Sequence, residues 1–235
     1  MASQTGKYLG ILDLESGLPP GVTSPPPPKG SMLRSASFDL PVITETVEGA
    51  WADLVVRGDP ALEQAYVAAA QRLVERGAVA ISSYCGAAIR HQAALAAAVD
   101  VPVVTSSLLL TPMLLRQLPP AAKLAVLTFD SRSFGEDWLP LSDPADRSRI
   151  VIGGVEGGKL MRNETMCPPQ PTEVADMESE IAACVARLRS ANPEISALLF
   201  SCTLFPPATP TVRRMVGLPV YDITTLCRMT LQSIA

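Results

Sequence analysis

Two short stretches carry residues that could act on a substrate. One is Ile81-Ser82-Ser83-Tyr84-Cys85-Gly86 and the other is Leu199-Phe200-Ser201-Cys202-Thr203. In each, an apolar run ends in small hydroxyl residues and one cysteine. A thiolate is a base and a thiol an acid. Two of them facing one carbon could take a proton from one side and return one to the other. The runs Ala78 to Ile81 and Ile195 to Phe200 read as buried strands of a parallel sheet. Ligands of open α/β sheets lie beyond the carboxyl ends of the strands, where Cys85 and Cys202 would stand.

The surroundings of the two cysteines repeat. Val101-Pro102-Val103 follows Cys85 and Leu218-Pro219-Val220 follows Cys202, each proline 17 residues beyond its cysteine. Upstream, Lys7 to Asp13 matches Lys123 to Asp130 at an offset of 116 residues, against 117 for the cysteines. A repeat of this size predicts two similar α/β halves, each presenting one thiol.

Composition narrows the classes of function. The chain has 235 residues, 48% hydrophobic and 18% charged, enough for one large domain or two small ones with a sizeable core. A net charge of −4 argues against nucleic acid as a partner. No apolar run approaches the roughly 20 residues of a membrane span. Met1 to Lys7 is polar, unlike a signal peptide. Five scattered cysteines do not make a disulfide framework, there is no C-x-x-C, and a single histidine argues against zinc. Free thiols fit a reducing cytoplasm, so the expected location is cytoplasmic.

The elements that must position the thiols follow from periodicity. Residues 8–14 read as the first strand and Pro41 to Thr44 as a short second one. Gly17 to Gly30, with Pro25 to Pro28 in a row, is barred from helix and central strand. It reads as an exposed polyproline segment or, because it follows a strand end, as a wall of the site. Pro60 to Arg76 is an amphipathic helix through Leu62, Tyr66, Ala69, Ala70 and Leu73, closed by Gly77. Ala87 to Val99 reads as a helix, Val101 to Thr105 as a strand, and Leu108 to Gln117 as a helix. Lys123 to Phe129 and Arg149 to Ile152 are strands, Thr172 to Ser190 a long helix, and Thr209 to Val216 a shorter one. Leu218 to Tyr221 and Thr224 to Ile234 end the chain as strand and helix. Alternation of this kind implies parallel pairing by right-handed crossovers. The halves divide at 1–118, carrying Cys85, and 119–221, carrying Cys202, with helix 222–235 packing back on the first.

Each candidate has a plainer alternative. A thiol at a helix N-terminus has its thiolate stabilised, which suits Cys85, and Gly86 allows close approach to the backbone. A free cysteine is otherwise commonly a small buried hydrophobe. Cys167, Cys184 and Cys227 lack the strand-end context and are read as structural. Gly153 to Lys159 matches a phosphate loop, but Leu160 replaces the needed Ser or Thr and no clear helix follows. Cys85 and Arg90 are one residue too close for a phosphatase loop. His91 reads as a surface or capping residue. Arg34, Arg57 and Arg162 could meet a second substrate carboxylate, or be surface charges.

In Ser83-Tyr84-Cys85-Gly86 and Ser201-Cys202-Thr203-Leu204-Phe205-Pro206, the chain resembles the aspartate/glutamate racemase superfamily. Gly10 to Ser16, Val101 to Ser107 and Leu218 to Asp222 are similar too, so the resemblance covers most of the chain. It implies two pseudo-symmetric parallel-sheet α/β domains with the active site in the cleft between them. It also implies no cofactor, no metal, and a homodimer or higher homo-oligomer. Cys85 and Cys202 would be the acid–base pair of a cofactor-independent racemase or epimerase. The substrate would carry a carboxylate or similar carbonyl next to the inverted carbon, as an amino acid does. Ser83, Gly86, Thr105, Ser106 and Thr203 would bind it, with Ser16 in the first loop. Asp13 or Glu15 would orient Cys85 or read a substrate ammonium.

Gly86-Ala87 and Leu204 stand where glutamate racemases carry Asn-Thr and His, which separates this chain from glutamate and brings it nearer hydantoin and allantoin racemases. A cis–trans isomerase or decarboxylase using one cysteine is the alternative within the superfamily. A binding protein with inert thiols is the alternative outside catalysis.

Overall fold

The computed structural model describes residues 6–19, 21–22 and 24–234. Most of the polar Met1-to-Lys7 stretch, with Pro20 and Thr23 of the proline-rich segment, lies outside the described residues. In chain order the first half holds β1 (Tyr8–Asp13), β2 (Val42–Thr46), α1 (Ala52–Arg57), α2 (Glu63–Glu75), β3 (Ala78–Ser83), α3 (Gln92–Ala98), β4 (Val103–Val104) and α4 (Thr111–Gln117). The second holds β5 (Lys123–Thr128), α5 (Pro144–Arg147), β6 (Ile150–Gly154), α6 (Lys159–Glu164), α7 (Val174–Ala191), β7 (Ile195–Phe200), α8 (Thr209–Val216) and β8 (Val220–Tyr221). Helix α9 (Ile223–Gln232) follows.

Two four-stranded sheets result, in the orders β2-β1-β3-β4 and β6-β5-β7-β8, and every strand pair is parallel. The fold is therefore two α/β units of one topology, as the repeat predicts. Helices cover both faces, so the inner strands bury nearly all their side chains, while the edge strands β2 and β6 are more open; Leu9, Ile11 and Leu12 of β1 are fully buried, as are Leu124 to Leu127 of β5.

The register refines the repeat. Both sheets shift register at the first residue of their lead strand, so that Leu9 pairs with Ala80 and Leu124 with Ala197. Leu124 thus stands where Leu9 stands. The counterpart of Asp13 becomes Thr128, two residues short of the Asp130 with which sequence alone aligns it. The matched lysines are not equivalent, since Lys7 precedes its strand and Lys123 is the first residue of its own.

Local chemistry explains the elements that hold the site. Helix α2 is introduced by a turn at Pro60–Leu62, where the Asp59 side chain accepts from the Ala61 N–H, and it presents Tyr66, Ala69, Ala70 and Leu73 inward. Gly77 ends it with φ of +94°, a conformation glycine adopts freely. Helix α9 begins at a capping box, the Asp222 carboxylate accepting from the Thr225 N–H and from the Thr209 and Thr224 hydroxyls. Its Ile223, Leu226, Cys227 and Leu231 join a core that holds the first sheet together with Leu124, Val126, Ala197 and Leu199 of the second.

One expectation changes here. Residues 86–91 after Cys85 form 3-10 turns, and the α-helix starts only at Gln92. The helix-dipole argument for Cys85 weakens accordingly, because aligned α-helical peptide units are not yet in place. Strand β4 is also shorter than the pattern suggests, since Pro102 cannot donate to the ladder.

The halves meet at the strand ends. The Ser107 hydroxyl donates to the Phe200 carbonyl at 2.7 Å and the Thr203 hydroxyl to the Tyr84 carbonyl at 2.8 Å. Arg90 pairs with Asp137 at 3.3 Å and lies over the Trp138 ring at 5.0 Å. A Cβ on Gly86 would run into the Ser201 carbonyl oxygen, so the two cysteine loops close on each other only because residue 86 has no side chain.

Candidate active site

Between the two cysteine loops lies a cavity of about 380 Å³. Its size suits a small molecule. Strand ends β1, β3, β5 and β7 open onto it, and it is lined by Glu15, Ser16, Cys85, Gly86 and Ala87 from the first half and by Ser201, Cys202, Thr203 and Leu204 from the second. Trp51 and Asp53, Thr128 to Asp130, Trp138 and the segment Glu164 to Cys167 form the rest of the wall, with apolar side chains between them. Of the residues expected to bind substrate, Glu15, Ser16, Gly86 and Thr203 are brought to the cavity with both cysteines.

The others stand behind it. Ser83 is fully buried and its Oγ accepts from the Cys85 N–H at 3.3 Å. The Thr105 hydroxyl donates to the Gln92 side chain at 2.7 Å, and the Ser106 Oγ accepts from the Leu108 N–H. Thr105 ties its strand end to α3 and Ser106 serves its own turn, and neither lines the cavity. Asp13 also lies outside the lining. Burial pushes its pKa up, against the pull of its bond from the Leu14 N–H.

The environments of the thiols differ. Burial raises the pKa of Cys85, while two backbone N–H groups, of Ala87 and Ala88, oppose the rise. Burial raises Cys202 too, but only the Leu204 N–H opposes it, and negative charge on Cys85 and Glu164 pushes it further up. Both thiols are thus held towards their neutral form by burial, with two opposing amides at Cys85 and one at Cys202.

No lysine, arginine or histidine is among the residues lining the cavity, whereas four carboxylates are: Glu15, Asp53, Asp130 and Glu164. Asp53 is held by Arg57 and Asp130 by Arg132, both at 2.8 Å, and Glu15 accepts from the Gly49 N–H. Glu164 has no hydrogen bond or ion pair among the described residues. Desolvation alone pushes its pKa up to about 7. Trp51, also in the wall, is 40% exposed. An anionic group would be met here by amides and hydroxyls, and a cationic group by Glu164 and tryptophan.

Glu164, Trp51 and Cys167 escaped the reading of the sequence. Cys167, taken there as structural, is exposed and lines the cavity. Its only local signal was the Pro168-Pro169 pair after it. Glu164 closes helix α6, which does follow the glycine-rich stretch. That stretch binds its own carboxylate, the N–H groups of Lys159 and Leu160 donating to Glu180, so it is no phosphate cradle. Among the described residues of 17–37, none lines the cavity. Arg34, Arg57 and Arg162 bond to Pro27, Asp53 and Gly157 at the surface. His91 is buried, not superficial. Among the described residues no group of three or more His, Cys, Asp or Glu is arranged to hold a metal ion, and no helix is long and apolar enough to cross a membrane.

Two strand-end thiols line a cleft between two α/β units of one topology, and comparison with known proteins places that arrangement. The chain is 30% identical over 207 residues to the dimethylsulfoniopropionate lyase of Durusdinium sp. clade D, covering 83% of this chain and 67% of that one. It spans 34% to 67% of the lengths of the dimethylsulfoniopropionate lyases of Emiliania huxleyi that it matches. Among solved structures, unliganded arylmalonate decarboxylase superposes with a TM-score of 0.59 at 19% identity, covering 97% of this chain and 92% of that one. A glutamate racemase isoform of Bacillus anthracis gives 0.60 at 13% identity, covering 97% and 81%. No family model matches the chain. The chain belongs to the family of the Durusdinium lyase, and its fold is that of arylmalonate decarboxylase and the glutamate racemases.

Proposed function

We propose that this enzyme removes the proton next to the carboxylate of a zwitterionic substrate, and that the substrate carries a sulfonium or similar onium group as a leaving group on the β-carbon. The observation that carries this reading is the charge pattern of the cavity: two thiols, an unpartnered Glu164 and an exposed Trp51, with no cationic side chain in the wall. Backbone N–H groups of the two cysteine loops, around Gly86 and Thr203, would hold the carboxylate, and Glu164 with Trp51 would hold the onium group.

The Cys85 thiolate takes the α-proton. The electrons of that C–H bond form the Cα–Cβ double bond as the Cβ–S bond breaks with its pair on sulfur. The products are a neutral sulfide and an α,β-unsaturated carboxylate, and the proton leaves Cys85 to water. With dimethylsulfoniopropionate these are dimethyl sulfide and acrylate. The names of the relatives support this choice of leaving group.

Racemisation or epimerisation is the second reading, favoured by one observation: a second thiol, Cys202, lines the cavity. A substrate without a leaving group would lose its α-proton to Cys85 and regain one from Cys202 on the other face. One experiment separates the two. The enzyme, Cys85→Ser and Cys202→Ser are each given dimethylsulfoniopropionate and a panel of amino acids in D₂O. Sulfide release abolished by Cys85→Ser supports the lyase. Deuterium entering the α-carbon of an amino acid, stopped by either substitution, would replace it with the racemase.

A further inference from the structure

The substrate pose above leaves part of the cavity wall unused. Ala52 and Val56 stand one turn apart on α1, Ala87 belongs to the Cys85 loop, and Trp138 comes from the second half; all four line the cavity. Arg90, which is outside the lining, gathers them from behind. Its Nη1 donates to the Val56 carbonyl at 2.9 Å, and its guanidinium lies 5.0 Å from the centre of the Trp138 ring. Ala87 precedes it in the same 3-10 segment. The Phe134 ring braces the indole as well, with centroids 5.0 Å apart.

The patch is apolar and fixed in place. Trp138 is only 4% exposed, and a side chain on Gly135, outside the lining, would run into Nε1 and Cδ1 of its pyrrole edge. Its Nε1 has no hydrogen-bond partner among the described residues. The indole thus serves this wall as hydrocarbon. Ala52 and Ala87 end at Cβ, so the space beside the ring is left open. A cavity of about 380 Å³ is in the range that holds drug-sized ligands, and dimethylsulfoniopropionate is far smaller. Its two charged groups are already placed at the cysteine loops and at Glu164 with Trp51. Nothing in it calls for a further apolar wall.

We propose that Ala52, Val56, Ala87 and Trp138 form a selectivity pocket, and that the preferred substrate is an onium carboxylate carrying one alkyl group longer than methyl on its onium centre. The inference rests on the zwitterionic substrate of the reading above, and not on which bond then breaks. Each methylene that enters the pocket is expected to tighten binding about fourfold.

The test measures binding without turnover. 3-(Trimethylammonio)propionate and 3-(butyldimethylammonio)propionate keep the spacing of the charges, and their amines are far poorer leaving groups than a sulfide. Both are titrated by calorimetry into the full chain and into Ala52→Leu. The butyl compound is expected to bind the unsubstituted chain about tenfold tighter or more. Ala52 is exposed at the start of α1, so leucine there adds bulk to the pocket without entering the core. Ala52→Leu is expected to bring the butyl compound down to the affinity of the trimethyl one. Equal affinities in the unsubstituted chain would overturn the inference. So would a butyl preference that Ala52→Leu leaves undiminished, because the extra carbons would then lie elsewhere. If neither compound bound, the zwitterionic substrate itself would fall, and the pocket with it.

Discussion

The two halves share a topology but not an electrostatic setting. Behind Cys85 stand an ionisable carboxyl, Asp13, and a serine, Ser83. At the matching positions behind Cys202 the register places Thr128 and Phe200. Two amides oppose the rise of Cys85, against one for Cys202, which also meets the charge of Glu164. The repeated topology brings two thiols to one cavity, and the differences between the halves give them unlike surroundings. In the proposed reaction that asymmetry makes Cys85 the base.

Exchanging the thiols one at a time tests that division most severely. Cys85→Ser is expected to lower turnover on the order of a thousandfold, because a serine hydroxyl hardly ionises near neutrality. If elimination is the reaction, Cys202→Ser should retain most sulfide release, as measured by gas chromatography. Equal losses would erase the proposed difference between the halves.

Gly86 and Thr203 occupy equivalent places, yet only the first must lack a side chain. Gly86→Ala forces its Cβ against the Ser201 carbonyl, and separating the loops should destabilise the fold by about 2–3 kcal/mol in urea unfolding. An unchanged midpoint would show that the loops can part freely.

Glu164 sharpens the comparison through pH. Its native pKa of about 7 lies above the ordinary 4.5, so the native state holds a proton that the unfolded chain has released between those values. Stability should therefore fall as pH rises through that window. Glu164→Gln should remove this fall, a relative gain on the order of 2 kcal/mol at pH 7.5, read from urea curves at pH 4.5 and 7.5. The same variant should raise KM for an onium substrate above pH 7, where the native carboxylate is charged.

The smallest effect concerns the seam. Thr203→Val loses the bond to the Tyr84 carbonyl and should cost about 1 kcal/mol in the same assay. It should leave the alkylation profile of Cys85 unchanged.

The fold was legible because its signals are local and periodic. Val126 and Leu199 sit in unbroken apolar runs, Leu73 in a helical stripe, and Gly77 at a helix end. The thiols were legible because the repeat marked them. Glu164 was not: it comes at the end of a short helix after an aperiodic loop, and only tertiary packing carries it to Cys202. Thr105 and Ser106 show the converse, since a strand-end hydroxyl can turn to its own chain as readily as to a ligand. His91 looked superficial because sequence neighbours such as Arg90 are charged, while its ring turns inward onto Tyr66.

Helix α9 sets the order in which the molecule can be made. Residues 223–232 are made after the whole second half, yet they pack into a core shared with the first, and Arg228 donates to the Ser37 carbonyl there. At roughly 5–20 residues per second, that half waits for seconds on the ribosome with an apolar flank uncovered, while the other half gathers its own core beside it. The first sheet is consequently the part of the nascent chain most in need of a chaperone.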